Sequence, residues 1–398
     1  MGNFVIFILV LFALAALLRI DFFFTILYLF AGVYILSRLW SRRMLRNLVI
    51  SRSMEQRAFL GEQVNVTLTL ENRSRLPIPW LLLNESFSTV LSSPPFFREV
   101  ITLGGKATHR AEYTLMARRR GYYQIGPTTV ETGDLLGLTR KVNGRFEAEH
   151  LIVYPKILPI SQLGLPTHSP QVILPTTVPL FHDATRISGV RPYVPGDNPR
   201  HIHWPATATS SQIVVKQFQT AIARENAIFL NLNRNDYGRP GQASLAIELA
   251  IVVAASLAHH VLVNEDLPLG LFTAGSDPVS NRQEIFQLFP NRGRGHLMQL
   301  LEVLARVEAS DDKDFLKHLQ QQAVHLSWGT TIVIITSTQS DTLTNNILLL
   351  KRSGFRLALV LVQPAAYTGS SDVRAQALDI PTFKVRREKD VEAWLAVP

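Results

Sequence analysis

The stretch Arg191 to Trp204, RPYVPGDNPRHIHW, puts two arginines, an aspartate, a tyrosine, a tryptophan and a His-x-His pair into fourteen positions of a chain that is only 18% charged. His201 and His203 alternate along an expected strand start, Arg200 to Trp204, so both imidazoles point the same way, as a metal-ligating pair does. Zinc or iron would need a third and a fourth ligand. His182 and Asp183 are near in sequence, while His168, His259, His260 and His296 are distant. The plainer alternative is that one histidine packs and the other is solvated. Around the pair, Pro195, Gly196 and Pro199 set a turn, Asp197 is expected to pair with Arg191 or Arg200, and Tyr193 and Trp204 are expected to bury their rings. On this reading Arg191, Tyr193, Gly196, Asp197, Arg200 and Trp204 form a structural brace or a partner contact.

A second constellation is FLNLNRNDYG, Phe229 to Gly238, which follows an apolar run and so falls at the carboxyl end of an expected strand, where ligands gather in open α/β sheets. Asn231, Asn233 and Asn235 alternate there. In a von Willebrand factor A-type domain this place carries Asp-x-Ser-x-Ser, which holds a hard divalent cation. The amides coordinate without charge, Asp236 is one residue out of phase, and Thr336-Ser-Thr338 after a later strand has no acid before Asp341, so these are positions of a degenerate metal site.

Other chemistries find no residues. The chain has no cysteine, which excludes disulfides, thiolate nucleophiles, Cys-based zinc sites and iron–sulfur clusters. Gly-x-Ser-x-Gly, Walker A, Gly-x-Gly-x-x-Gly and His-Glu-x-x-His are absent. NRGRGHL, Asn291 to Leu297, reads as a basic turn and helix start, with an anion held at the helix N-terminus as the alternative, and Arg118-Arg119-Arg120 as a solvated hairpin end, with attraction to acidic lipid as the alternative. No cofactor and no small-molecule substrate is expected.

The elements that position these residues follow from periodicity. Residues 1–40 hold two apolar runs, Asn3 to Leu18 and Phe22 to Leu36, split by Arg19-Ile20-Asp21, and predict a transmembrane helical hairpin. Arg38, Arg42, Arg43, Arg46, Arg52 and Arg57 follow it and nothing charged precedes it, so the N-terminus and the soluble part are expected in the cytoplasm. These arginines account for much of the +9 net charge, and with no nucleic-acid motif visible the anionic partner is expected to be the bilayer. Residues 48–155 alternate, as in QVNVTLTLE, with turn signals at short intervals, and predict a β-sandwich with an immunoglobulin-like layout. Residues 156–185 are Pro-rich and read as a linker. Residues 186–398 hold the motif and then apolar strands separated by helices, a doubly wound α/β domain.

The motif Arg191-x-Tyr193-x-x-Gly196-Asp197-x-x-Arg200-x-x-x-Trp204, with Thr207-Ala208 after it, resembles the signature of the bacterial domain of unknown function 58 family. RRGYYQIGPTTVETGDLLGLTRK, Arg119 to Lys141, and PNRGRGHLMQLLEVLARVEA, Pro290 to Ala309, are similar to further family segments. The resemblance implies a C-terminal von Willebrand factor A-like domain and a bacterial inner-membrane protein. It also implies partnership with a MoxR-type AAA+ ATPase or other von Willebrand A-type proteins, in the assembly or maturation of complexes. His203 stands where the family commonly has Asp and Thr209 where it has Arg, which weakens an enzyme site there. The expectation is therefore a non-catalytic, membrane-anchored scaffold; the alternative is a divalent-metal-dependent hydrolase or binder using His201 and His203 or the Asn231 to Asn235 loop.

Overall fold

The computed structural model of the 398-residue chain describes residues 2–18, 21–133, 142–160, 182–194, 199–210, 212–220, 225–238, 240–311, 315–338, 340–363 and 380–392. It forms two compact units. The first comprises Met1–Lys156, Asp277–Arg282 and Leu301–Glu308, and the second Ile157–Ser276, Gln283–Leu300 and Ala309–Pro398.

The first unit begins with α1 (Gly2–Leu18) and α2 (Asp21–Arg46). They touch through Phe7 and Phe30, whose rings meet edge to face at 5.7 Å. Most of their described apolar side chains point away from the protein, among them Leu9, Val10, Phe12, Leu17, Tyr28, Leu29 and Leu36. Among the described residues the one helix long and apolar enough to cross a membrane is a different one, Ala243–Asn264, and it is mostly buried in the second unit. That burial makes it a core helix.

Ten strands follow: β1 (Leu48–Ser53), β2 (Arg57–Phe59), β3 (Gln63–Asn72), β4 (Ile78–Ser86), β5 (Phe96–Leu103), β6 (Thr108–Met116), β7 (Gly121–Ile125), β8 (Thr128–Thr132), β9 (Val142–Phe146) and β10 (Glu149–Tyr154). They make three sheets, β1-β3-β6, β5-β4-β8-β9 and β2-β10-β7. The alternation in β3 explains the packing. Val64, Val66, Leu68 and Leu70 all face inward and are buried, but Leu68 and Leu70 pack with Leu81, Leu83 and Val130 of the four-stranded sheet, whereas Val64 and Val66 pack with Leu151 and Val153 of the other. The layer opposite β1-β3-β6 is thus split in two, unlike the single partner sheet of an immunoglobulin-like sandwich. Arg52 of β1 ties the pieces together: its buried guanidinium contacts the buried Glu85 carboxylate, donates to Thr128 Oγ1 at 2.9 Å, and meets Glu149 Oε1 at 3.3 Å. Removing either buried partner would strand a charge, so the cluster fixes which strands meet.

The second unit opens with β11 (His182–Pro192), α3 (Trp204–Thr209) and β12 (Val214–Thr220), in which β11 and β12 pair antiparallel. β13 (Asn226–Leu230), α4 (Pro240–His259, continued by a π-helical turn His260–Asn264), β14 (Leu269–Asp277), β15 (Arg282–Asn291), α5 (Arg294–Arg306) and α6 (Phe315–Ala323) come next, although Asp277, Arg282 and the end of α5 from Leu301 belong to the first unit. β16 (Thr331–Thr336), α7 (Asp341–Arg352), β17 (Arg356–Val362), β18 (Thr382–Val385) and α8 (Glu388–Glu392) complete it. The sheet order is β15-β14-β13-β16-β17-β18, and the β14-β13, β13-β16, β16-β17 and β17-β18 pairs are parallel. Every residue of β13 is buried, as a central strand covered on both faces requires. Phe229, Ile334 and Leu359 share a core with Leu319 and Ala323 of α6 and Leu343 and Ile347 of α7, while α4 packs on β13, β16 and β17.

Of the expected linker 156–185, residues 161–181 lie outside the described residues. Leu158 and Ile160 are buried, Leu158 N–H donates to Ser256 Oγ at 2.9 Å, and His182 to Thr185 already belong to β11.

Candidate functional site

Chain order in the parallel sheet reverses at β13: β14 lies on one side of it and β16 on the other. The carboxyl ends of β13 and β16 therefore flank the switch point, the usual place for a ligand in such a sheet. Asn231 is the first residue past β13 and is 3% exposed. Its backbone N–H still bonds Ile335 O at 2.9 Å. Its side-chain Nδ2 donates to Asp236 Oδ2 at 2.7 Å and to Thr336 Oγ1 at 3.1 Å, and its Oδ1 accepts from Asn233 N–H at 3.0 Å. The orientation of the amide follows from this network, since a carboxylate needs a donor and a backbone N–H an acceptor. Asn231 thus spends both donors and its acceptor inside the cluster.

Asp236 enters for a geometric reason that alternation along a strand does not reveal. Asn233 caps a 3₁₀ turn over Arg234–Asp236, its Oδ1 accepting from Asn235 N–H at 3.1 Å. With three residues per turn, Asp236 comes round to the same side as Asn233. Asn235 is left exposed. Of the three asparagines expected to act together, only Asn231 sits at the centre, Asn233 shapes the turn, and Asn235 points to solvent. Tyr237, absent from the sequence expectation, closes the cluster by donating to Asn231 O at 2.5 Å, and Thr338 Oγ1 donates to Asp236 O. Burial, and then the Asp236 charge, push the Tyr237 phenol up. Asp236 is the single carboxylate of the cluster, and among the described residues no three His, Cys, Asp or Glu side chains gather as a metal site would require. Beside it a cavity of about 20 Å³ is lined by Phe229, Thr273, Ser310, His318 and Gln322, room for one water molecule.

The stretch 191–204 is built differently from the expectation. Residues Pro199–His201 form a 3₁₀ turn and Trp204 begins α3, so the strand that would have aligned His201 and His203 does not form. Pro205 at the start of a helix favours this outcome, and His203 caps the helix, its Nδ1 accepting from Ala206 N–H at 3.0 Å. One ring nitrogen of the pair is thereby committed to structure. Trp204 is 67% exposed and Tyr193 36%, so neither ring is buried as a brace would need. Arg191 is exposed, with Nη1 donating to Pro192 O at 3.2 Å. Gly196 and Asp197 lie outside the described residues, as does the side chain of Arg200, and with them the expected pairing of Asp197.

Two further residues depart from expectation. Arg120, read as solvated, is 7% exposed and Nη1 donates to Leu304 O, Ala305 O and Val307 O at 2.9, 3.2 and 2.8 Å, capping the last turn of α5. His296, a distant ligand candidate, is buried with Nε2 2.7 Å from Leu269 O. A carbonyl accepts only from a protonated nitrogen, which makes this a satisfied core histidine.

The switch point and the ribbon lie within one stretch that a family model matches. Residues 189–364 match the model of the family described as protein of unknown function DUF58. The DUF58 region starts within β11, takes in the ribbon and the Asn231 cluster, and ends after β17. A curated relative, the uncharacterized protein YeaD of Bacillus subtilis (strain 168), is 26% identical over 275 residues, covering 66% of this chain and 63% of YeaD. The chain therefore spans less than two thirds of that relative's length. Among solved structures, the CARDB domain of PF1109 from Pyrococcus furiosus matches with 12% identity and a TM-score of 0.21, over 27% of this chain and 86% of that one. The alkylpurine DNA glycosylase AlkC of Pseudomonas fluorescens matches with 15% identity and a TM-score of 0.20, over 27% and 30%. Likeness at that level carries no argument about the DUF58 region or its neighbours.

Proposed function

We propose that the chain is a membrane-anchored, non-catalytic interaction protein whose α/β unit serves as a docking platform for a MoxR-type AAA+ ATPase during assembly or maturation of a complex. The observation that carries this reading is the self-contained Asn231 cluster. The place where an α/β sheet usually offers charge or open coordination to a ligand is occupied by the protein's own amide, carboxylate and hydroxyl, all mutually paired. What such an end presents to the outside is a shaped surface with the exposed Asn235 at its rim. The partner class comes from the family resemblance of the Arg191 to Trp204 motif.

The anchor is α1 with the apolar part of α2. A helix apolar all round has no aqueous face, and the 17 residues of α1 reach about 25 Å at ~1.5 Å per residue, most of a ~30 Å hydrocarbon core. The arginines after Leu36 favour an inner-membrane hairpin with the N-terminus and both folded units in the cytoplasm.

A photo-crosslinking residue in place of Asn235, in the full chain in native membranes, tests the platform. The expected result is an adduct with an AAA+ ATPase; recovery of the protein alone would sink the reading. The competing metal-dependent reading gains Asp236 as one ligand, and stoichiometric metal in the purified protein, lost on His201→Ala with His203→Ala or on Asp236→Asn, would establish it instead.

A further inference from the structure

The ribbon carries an exposed apolar surface. Val190, Tyr193, Val194, Trp204 and Ile213 are all exposed, and the backbone draws them together: Pro192 pairs with Val214, Tyr193 N–H donates to Ile213 O at 2.8 Å, and His203 N–H donates to Val214 O at 2.9 Å. Since these backbone groups are satisfied by one another, the ribbon offers side chains to its surroundings. Isolated exposed apolar residues are ordinary, but five gathered on β11, the segments flanking the ribbon and the start of α3 are not.

The charge on the same element is one-sided. From His182 to Phe218 the sequence has Arg186, Arg191, Arg200 and Lys216 against Asp183 and Asp197. Trp and Tyr rings with aliphatic neighbours and cationic side chains are the composition that settles in the headgroup layer, where a ring keeps its polar edge wet and its body dry, and where cations meet phosphates. Aromatic and arginine side chains also form protein hot spots. The bilayer is favoured here because the chain already holds itself at a membrane through α1 and α2, so a weak interfacial contact is occupied at the high local concentration that tethering provides.

We propose that the β11–β12 ribbon with α3 is a second membrane contact, in which Tyr193, Val194, Trp204 and Ile213 enter the headgroup layer of an anionic bilayer while Arg191 and Lys216 face its phosphates. This rests on the anchor reading above, and the experiment separates the two.

The chain has no cysteine, so single Ile213→Cys, Val194→Cys and Leu29→Cys variants of the full chain take an environment-sensitive fluorophore at one site each. The proteins are reconstituted into vesicles of phosphatidylcholine alone or mixed equally with phosphatidylglycerol, with nitroxide on a fraction of the headgroups. The expected result is that labels at 213 and 194 shift to the blue and are quenched only in phosphatidylglycerol vesicles. Quenching should weaken on adding salt or Trp204→Ala, and Arg191→Ala should lower the bound-to-free ratio about fivefold, the equivalent of the ~1 kcal/mol contributed by one basic residue near an anionic surface. Labels at 213 and 194 that stay water-exposed while the label at 29 is quenched overturn the ribbon contact and leave the anchor standing. A blue shift without lipid quenching also overturns it, in favour of a protein covering the ribbon. Quenching at 213 and 194 but not at 29 upholds the ribbon and removes the anchor.

Discussion

At the scale of single residues, the Asn231 cluster is a place where one atom decides the chemistry. Asn231→Asp replaces the donor that lies 2.7 Å from Asp236 with a second carboxylate, losing a charge-assisted hydrogen bond and adding like-charge repulsion. The variant is expected to be less stable by about 1–3 kcal/mol at neutral pH in a chelator, and to recover stability with added magnesium, because two carboxylates and the hydroxyl of Thr336 make an oxygen site for a hard cation. A melting temperature that is unchanged and indifferent to magnesium would show that the cluster does not hold the switch point together. The tyrosines give a second expectation. Tyr237 and Tyr113 are both held protonated above the ordinary 10.0, Tyr237 by burial and then Asp236, Tyr113 by burial and then Glu85. Their contribution is whole below that value. As pH rises through and beyond 10.0 the unfolded chain releases protons that the folded chain keeps, and stability falls by about 1.4 kcal/mol per pH unit for each such tyrosine. Unfolding free energies measured on either side of pH 10 should show this decline, with a shallower slope in Tyr237→Phe; an identical slope would refute the assignment.

At the scale of elements, much of the second unit is legible because its strands are apolar runs and its helices carry apolar residues at helical spacing. β16 and β17 follow directly from TIVIIT and RLALVLV. What hides is what tertiary contacts decide. β15 alternates half-buried and exposed residues and carries Pro290 one residue before its end, so it lacks the continuous apolar run that marks its neighbours. HIHW alternates as a strand would, yet a histidine cap and a following proline start a helix there. Asp236 and Arg120 are misjudged for a related reason, since a turn of three residues per repeat and a helix end brought from far along the chain leave no periodic trace. The end of α7 supplies a further test. Gly354 has φ +90° and a Cβ there would overlap the indole of Trp328, whereas Gly241 in α4 has open space around it. Gly354→Ala is expected to cost about 1–3 kcal/mol, and Gly241→Ala to gain about 0.5 kcal/mol. Thermal melts of the two variants should move in opposite directions, and movement in the same direction would contradict the strain argument.

At the scale of the whole molecule, composition and patterning separate an apolar N-terminal segment, a region of short strands and an α/β region, and the structure divides the folded part into two units with Lys156 as the last residue of the first main segment. The strand order carries a consequence in time. β13 and β14 are neighbours in sequence and in space, but the other side of β13 waits for β16, about a hundred residues further along the chain. At roughly 5–20 residues per second of synthesis this leaves a five-residue strand, apolar but for Asn226, with one open edge for roughly 5–20 seconds. Over that interval each nascent chain offers a template to any extended apolar segment nearby. Crowding of ribosomes on one message therefore sets the danger of mispairing, and slow or sparse translation should favour a properly closed sheet.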